Sequence, residues 1–454
     1  MFLARLLVLF SLVCISCAHS SFEQKQLKHA LNFATSNRLE LEILLQHYTY
    51  DSLKLEAAKF LIRNMPHCYS YQQGGEMDSV KRVRTYYSPF GQIDQTYARR
   101  WGHYTYRNLP KIYDAHIITA EYLIDNIDRA FDNWQKRPWN RSLSFEDFCE
   151  YLLPYRIGDE PLEEWRELYE KKYGYLLDSI YKGSDVVEAA NLVSRHLQEP
   201  VFIYCEDFEL PHIGPRYLFS HRYGSCVDAA DIVTYAFRAV GIPCMEDTDA
   251  RGGHVWNVVR DTTGRDVPIW YIASEAVRGS RDTGGYKRGK VYRPMYGFQE
   301  EKAAHLGDDW KSMPLLFYHP YMKDVSYAYY PDTLRILTGI PDDEVCYLAH
   351  FHEAHWWSCA CARSASGKME IPNLESELVY LPMKYTKGNY YPSGFPFWFA
   401  GGEINTFLPD WEKTVKVRLY RKYPVYGWLR SFMGHVVGGT FEGSMTKNFE
   451  DGKT

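Results

Sequence analysis

The stretch that most constrains the fold runs from Tyr223 to Asn257, because its pattern assigns a cysteine and a histidine to two different secondary-structure elements. Cys226 is followed by apolar residues at helical spacing, and Ser225 before it is a residue type that caps helix N-termini. Gly241 ends the pattern, since glycine readily adopts the left-handed conformation that follows helices. The sequence therefore predicts a helix that begins at Cys226.

A cysteine at the start of a helix has the surroundings of a nucleophile, because the unpaired N–H groups and the helix dipole favour a thiolate. The same N–H groups can receive an oxyanion. His254 follows a Gly-Gly pair and opens a strand-like run whose alternation places His254 and Trp256 on one face. This arrangement is typical of a nucleophile and a base that meet only in the folded chain. The alternative is a small buried cysteine and a structural histidine.

The runs GSCVDAADIVTYAFRAVGIP and GGHVWNVV resemble the core of the transglutaminase-like superfamily, whose fold is related to papain. They resemble more closely the transglutaminase-domain lipoproteins of gut-type bacteria. The resemblance covers roughly residues 195 to 300, with further similarity in KLEAAKFLIRNMP and VYLPMKYTKGNYYPSGFPF on either side. It implies that Cys226 is the nucleophile and His254 the base. It also implies action on an amide bond of a peptide, protein or glycopeptide, with no cofactor and no metal ion.

The family pattern has a third residue, an aspartate on the next strand that orients the histidine. The run Asp261–Arg265 is predicted to be the turn between the two strands, which places Ile272 opposite His254. Isoleucine cannot orient an imidazole, and the carboxylates at the turn lie about six residues away, on the order of 20 Å of strand. Ser274 or Glu275 can take this position after a small shift of register, and Glu275, the carboxylate of the two, is the candidate third residue.

Two functions of different classes follow from these residues. In the first, Cys226 and His254, with Glu275, form a cysteine hydrolase or acyltransferase whose acyl-enzyme passes to water or to an amine. In the second, the core has lost its acid and the chain is a surface module that binds a peptide or a glycan. A carboxylate that faces His254 favours the enzyme, and an apolar Ile272 there favours the binding module.

The predicted fold class is α+β with several domains. The chain has 454 residues, of which 46% are apolar and 24% charged, values typical of soluble globular domains. Residues 18–194 are predicted to be helical, and 195–307 to form the papain- or transglutaminase-like core. Short strand-like runs between turn residues predict a β-sandwich at 308–421. Residues 422–454 resemble the start of a further, truncated β domain.

The net charge and the spacing of the histidines argue against a nucleic-acid partner and against a zinc site. A net charge of −5 does not favour a nucleic-acid partner. The run His350–His355 contains three histidines but lacks the spacing of the HExxH zinc motif, so it predicts two strands and a turn without a metal ion.

Met1–Cys17 is predicted to be a lipoprotein signal peptide. Arg5 precedes an apolar run too short to span a bilayer, and Cys14-Ile15-Ser16-Cys17 resembles a bacterial lipobox with Cys17 as the lipidated residue. The resemblance implies a lipid-anchored protein at the bacterial outer membrane or cell surface, or facing the periplasm. The alternative is an ordinary cleaved signal peptide.

The lipobox predicts that Cys17→Ser releases the protein from the membrane fraction, because the substituted residue cannot carry the lipid. The measurement is the distribution of the protein between membrane and soluble fractions after cell lysis. A variant that stays with the membranes contradicts the prediction.

Overall fold

The structure is a computed structural model that describes a large part of the chain, with several gaps. Cys17 with the predicted signal peptide, and the predicted truncated domain at 422–454, lie outside the described residues. The described residues are 21–86, 96, 100–101, 104–205, 209–251, 253–270, 272, 274–280, 287–299, 313–337, 341–342, 344–352, 355–410 and 412–413.

The chain divides into two compact units, called unit 1 and unit 2 below. Unit 1 contains the described residues up to 280 together with 290–299 and 315–329. Unit 2 contains 287–289, 313–314 and the described residues from 330 onward. Helix and strand are both abundant and the larger sheets are antiparallel, so the predicted α+β class is confirmed.

Unit 1 begins with helices joined by short turns and a two-stranded sheet. Side chains at several N-termini accept hydrogen bonds from the first helical turn, as Asp51 and Ser144 do. The helices before the central one are α1 (21–33), α2 (Arg38–His47), α3 (Ser52–Asn64), α4 (Gly75–Arg84), α5 (Ala120–Lys136), α6 (Phe145–Tyr151), α7 (Arg166–Tyr175), α8 (Val186–His196) and α9 (Pro215–Ser220).

The strands of unit 1 form one five-stranded sheet and two small ones. An antiparallel pair joins β1 (Tyr69–Tyr71) to β2 (Lys111–Tyr113), and a parallel pair joins β3 (Ile203–Tyr204) to β4 (Tyr223–Gly224). The five-stranded sheet is antiparallel throughout and has the order β7-β6-β5-β8-β9. Its strands are β5 (Cys244–Asp249), β6 (Val255–Arg260), β7 (Asp266–Ile269), β8 (Val291–Pro294) and β9 (Met322–Asp324).

The central helix of unit 1 is α10 (Cys226–Ala239), and its predicted start at Cys226 is confirmed. Gly241 follows the helix with φ +80°, the left-handed conformation expected after a helix end. The apolar spacing predicted a helix with one buried face, but every residue from Asp228 to Ala239 is buried. Neighbouring elements therefore surround α10, and its polar side chains need partners inside the protein.

The predicted boundary between a helical domain at 18–194 and a core at 195–307 does not separate two compact units. Trp165 at the start of α7 and Tyr169 on α7 pack against Tyr235 of α10, with ring centroids 5.1 and 5.6 Å apart. The N-terminal helices therefore cover α10 and share its hydrophobic core. Strand β9 completes the sheet of unit 1, so unit 1 extends to residue 329, beyond the predicted bound at 307. The domain bounds themselves stay predictions.

The predicted turn between the strand after His254 and the next strand is confirmed. Strands β6 and β7 pair from Asn257↔Ile269 to Arg260↔Asp266, and the turn between them spans 261–265. The Asp261 carboxylate accepts hydrogen bonds from the N–H groups of Thr263 and Arg265, which closes the turn. Continued in the same register, this pairing places position 272 opposite position 254.

A buried ion-pair network holds the five-stranded sheet together. Arg293 on β8 contacts both carboxylate oxygens of Asp247 on β5, at 2.5 and 3.0 Å. The same guanidinium lies 2.8 Å from Asp266 on β7. These three side chains are at most 3% exposed, so water does not stabilise their charges and the ion pairs must do so.

Unit 2 consists mainly of antiparallel strands in two sheets. One pairs β10 with β13, and the other has the order β12-β11-β14-β16-β17, with β15 paired to β14. Two stacked sheets forming a sandwich remain a prediction. The strands are β10 (Asp332–Leu337), β11 (Val345–His352), β12 (His355–Arg363), β13 (Lys368–Leu374), β14 (Leu378–Thr386), β15 (Asn389–Pro392), β16 (Phe397–Ala400) and β17 (Glu403–Thr406).

The histidine-rich run His350–His355 lies at the end of β11 and the start of β12, where His352 pairs with His355. The two predicted strands are therefore present.

A membrane-spanning helix needs a long apolar segment, and no helix in the described part of the chain has one.

Candidate functional site

Cys226 and His254 line the same narrow crevice. Cys226 is the first residue of α10, and His254 immediately precedes β6. The crevice measures about 10 Å³, which is close to the smallest space that holds one water molecule. Fold and sequence pattern thus bring together the two side chains that were predicted as nucleophile and base.

His254 is held at this position by the loop before it. The carboxylate of Asp249 accepts hydrogen bonds from the N–H groups of Arg251 and Gly253, at 3.0 and 2.9 Å. The Thr248 hydroxyl donates to the backbone carbonyl of His254 at 3.1 Å. A loop with its N–H groups satisfied by a buried carboxylate has few alternative conformations, which restrains the histidine backbone.

Aromatic rings pack around the imidazole. The His254 and Trp256 rings are stacked with centroids 5.9 Å apart, which confirms that the two residues share a face. Trp256 is buried and contacts Trp270 at 5.1 Å between ring centroids. These rings shield one side of the crevice from water.

The imidazole also contacts the main chain of the neighbouring strand. His254 Nε2 lies 3.3 Å from the backbone carbonyl oxygen of Trp270. A carbonyl oxygen only accepts hydrogen bonds, so Nε2 carries the hydrogen in the neutral ring and Nδ1 is the basic nitrogen. The Trp270 carbonyl therefore occupies the orienting role that the sequence assigned to a carboxylate.

The structure does not place Glu275 beside His254. Its carboxylate lies 3.1 Å from the guanidinium of Arg195 on α8, and the two side chains are 61% and 52% exposed. Ile272 lines the crevice, as the predicted register requires. Glu275 follows the strand by several residues, and the chain has turned toward α8 by that point. The proposed role of Glu275 as the orienting acid is therefore withdrawn.

The first turn of α10 contains a buried charge pair. Asp228 accepts a hydrogen bond from the N–H of Ser225 at 2.7 Å, the backward contact of a capping box. Its carboxylate also lies 2.9 Å from Arg84 on α4, and both side chains are 3% exposed. Because Arg84 balances the Asp228 charge, the carboxylate opposes formation of a thiolate at Cys226 less than an unpaired one would.

A much larger cavity of about 480 Å³, the α10 cavity, adjoins the same helix start. Ser225, Val227 and Asp228 line it, whereas Cys226 lines the crevice, and Val255 lines both. The α10 cavity and the crevice therefore lie on two sides of one helical turn. Its size falls within the range of small-molecule sites.

Buried titratable groups form the wall of the α10 cavity. His212 Nδ1 lies 2.9 Å from the carboxylate of Asp231, which is completely buried on α10. Burial opposes the charged form of His212, but the charge of Asp231 and its hydrogen bond outweigh burial and raise the pKa of His212 well above 6.5. Glu246 on β5 accepts a hydrogen bond from Thr234 at 2.7 Å, and burial raises the pKa of its carboxyl group.

Two further groups of the cavity have shifted pKa values. Burial raises the pKa of Glu150 to about 7, against the effect of the N–H groups of Tyr296 and Gly297. Burial lowers the pKa of His67 to about 3, so this imidazole is neutral. Shifted carboxyl groups in a concave site are a common property of binding sites.

Sequence reasoning found the crevice and missed the α10 cavity. The available signal was the polar series Asp231, Thr234 and Arg238, which recurs at helical spacing on the helix that carries the predicted nucleophile. The other wall comes from Glu150, Arg156 and Asp159, in a segment where the sequence contained no recognisable motif.

Comparison with known proteins identifies no relative of this chain. No protein-family model, no curated protein and no solved structure matches it. The resemblance to transglutaminase-like proteins therefore stays a prediction, and the function is inferred from the geometry of Cys226 and His254.

Proposed function

We propose that the chain is a cysteine-dependent amide hydrolase or acyltransferase of the transglutaminase-like kind. The observation that supports this most is the shared crevice of Cys226 and His254, in which the Trp270 carbonyl holds Nε2 and leaves Nδ1 as the base. A thiol at a helix N-terminus beside an imidazole is the arrangement of a nucleophile with an adjacent base.

The reaction follows from these two groups. His254 takes the proton of the Cys226 thiol, and the thiolate adds to the carbonyl carbon of the substrate amide. The N–H groups at the start of α10 can stabilise the oxyanion. The C–N bond then breaks, His254 returns the proton to the leaving amine, and a thioester remains. Water or an amine attacks the thioester and restores the thiol.

The proposed substrate is a peptide, protein or glycopeptide at the bacterial cell envelope, and the proposed attachment is a lipid at Cys17. Both parts rest on the resemblance of 195–300 to transglutaminase-domain lipoproteins and on the lipobox-like Cys14–Cys17. Water is the proposed acceptor, because relatives of this kind are commonly regarded as peptidases or amidases. The papain-like fold of the core and the β-sandwich belong to the same proposal.

A module that binds a peptide or a glycan is the second candidate. The observation that favours it is Ile272, an apolar residue that lines the crevice where the family pattern has an acid. Without a carboxylate, the imidazolium that forms during catalysis is less stabilised. The two candidates differ in the reactivity of Cys226, which can be measured without knowing the substrate.

The test is alkylation by iodoacetamide at about pH 7, below the ordinary thiol pKa of about 8.5. Of the eight cysteines in the described residues, six are buried, and only Cys226 and Cys361 are partly exposed. Cys361 is therefore a control for exposure alone. We expect Cys226 to be labelled first, and mass spectrometry of the digested protein identifies the labelled site.

Equal labelling of Cys226 and Cys361 shows that exposure alone decides reactivity and favours the binding module. Equal labelling of all eight thiols contradicts both the burial of six of the cysteines and the activation of Cys226 as a nucleophile.

A further inference from the structure

We propose that the α10 cavity binds a small organic cation, a ligand that carries an ammonium group. The cavity walls supply carboxylates from four different segments of unit 1, namely Glu150, Asp159, Asp228 and Glu246. Binding of such a ligand does not depend on the proposed function. Only its role as a part of the substrate does.

Two of these carboxyl groups have bonding capacity left. Glu246 accepts one hydrogen bond, from Thr234, and Asp159 accepts one from the backbone N–H of His212 at 2.9 Å. Within the described part of the chain, the second oxygen of each has no hydrogen bond. An ammonium group has three donors and no acceptor, so it fits between two such oxygens.

The charges around the cavity favour a cation. The lining carboxyl groups and those bonded to lining cations number seven. The cations that line the cavity or pair with these carboxyl groups, leaving aside the imidazoles of His67 and His319, number four. The carboxyl groups are Asp114, Glu150, Asp159, Glu160, Asp228, Asp231 and Glu246, and the cations are Arg84, Arg156, Arg238 and His212. If all seven carboxyl groups are ionised, the difference is three negative charges, which are unfavourable in a largely buried space unless protons or a bound cation offset them.

The guanidinium groups do not remove this excess. Arg156 is bonded to Asp114 and lies 3.6 Å from Glu160, so it serves two carboxylates at once. Arg238 donates to the backbone carbonyls of Cys244, Arg156 and Glu150, so these contacts occupy its N–H groups. Burial raises the pKa values of Glu150 and Glu246, and the nearby charges of Arg238 and, for Glu246, of His212 offset this effect only in part.

The ligand is an organic ion rather than a metal ion. Among the described residues, no group of three acidic, histidine or cysteine side chains has the geometry to hold a metal ion. The volume of about 480 Å³ accommodates a ligand with several heavy atoms. Tyr69, Tyr106, Tyr296 and Tyr321 supply apolar wall for its carbon atoms.

The cavity adjoins the turn at 225–228, and Val255 lines both the cavity and the crevice that contains Cys226. If the proposed function is correct, the ammonium group belongs to the substrate whose carbonyl enters the crevice. If it is not, the cavity remains a binding site for a free amine.

The test is calorimetric titration of the full chain carrying Cys226→Ala, which prevents turnover. The probes are alaninamide, lysinamide and 1,5-diaminopentane, each compared with its N-acetylated derivative. We expect at least one amine to bind and its fully acetylated derivative not to bind. Because Glu246→Gln keeps the acceptor for Thr234 and removes the charge, it should weaken amine binding about tenfold or more, or ~1.4 kcal/mol.

Asp159→Asn is the second variant and should weaken binding in the same direction. Glu275→Gln is the matched control, because it removes an exposed carboxylate outside the cavity and should leave affinity unchanged. The proposal is overturned if none of the three amines binds, or if Glu246→Gln and Asp159→Asn both bind them as tightly as the control. Tighter binding of acetate or phosphate than of the amines also overturns the proposal, because the cavity would then prefer anions to cations.

Discussion

Replacement of Cys226 by alanine should abolish the burst of p-nitrophenolate that the wild-type chain releases from p-nitrophenyl acetate. The burst reports one acyl transfer to the thiolate, which forms a thioacetate and releases the phenolate. Loss of the nucleophile in a protease lowers kcat by about 10⁶, so the expected effect is complete loss of the burst. The measurement is absorbance at the phenolate wavelength in the first turnover.

Two other variants separate the roles of His254 and Glu275. His254→Gln should slow acylation by about 10⁴ or more, because His254 is the one imidazole or carboxyl group among the described residues that line the crevice. Glu275→Gln should acylate like wild type, because Glu275 is exposed and paired with Arg195. A Glu275→Gln variant as slow as His254→Gln restores the carboxylate triad. A Cys226→Ala variant with a normal burst removes the enzyme proposal altogether.

The second large effect concerns stability. Arg293→Met should lower the free energy of unfolding by on the order of 3–5 kcal/mol, because it leaves Asp247 buried without its counter-charge and Asp266 with only the guanidinium of Arg260, at 3.3 Å. The affected strands are β5, β7 and β8, which form the sheet beside His254. Urea unfolding followed by tryptophan fluorescence measures the loss, since Trp256 and Trp270 lie next to this sheet.

Arg38→Met is the matched control, because Arg38 pairs with Glu42 at 2.7 Å while both side chains are nearly half exposed. An exposed pair of this kind contributes at most about 1 kcal/mol. Similar losses in both variants mean that burial does not set the strength of the Arg293 network.

The sequence predicted the parts of the site that depend on local chain geometry. The N-cap residue Ser225, the helical spacing of apolar residues and Gly241 after the helix define α10. The short turn between β6 and β7 fixes their register, which places Ile272 in the crevice. These features lie within a few residues of one another, so spacing alone determines them.

The sequence did not predict what depends on contacts between distant segments. Glu275 was assigned to His254 because it lies just beyond Ile272, the residue predicted to face the histidine, whereas the fold pairs it with Arg195, 80 positions away. The Trp270 carbonyl has no signature at all, because every residue type has a backbone carbonyl. The packing of α7 against α10 across the predicted boundary at 194 has a related cause, because contacts between distant segments are visible only in three dimensions.

The pairing of Cys226 as nucleophile with His254 as base is tested by the rate of Cys226 alkylation as a function of pH. The rate is measured in wild type and in His254→Gln. We expect the wild-type rate to reach half its maximum well below the ordinary thiol pKa of about 8.5, because the helix start and the imidazole favour the thiolate. In His254→Gln the midpoint should move upward toward that value. A wild-type midpoint at or above about 8.5, unchanged by His254→Gln, contradicts the assignment of Cys226 and His254 as nucleophile and base.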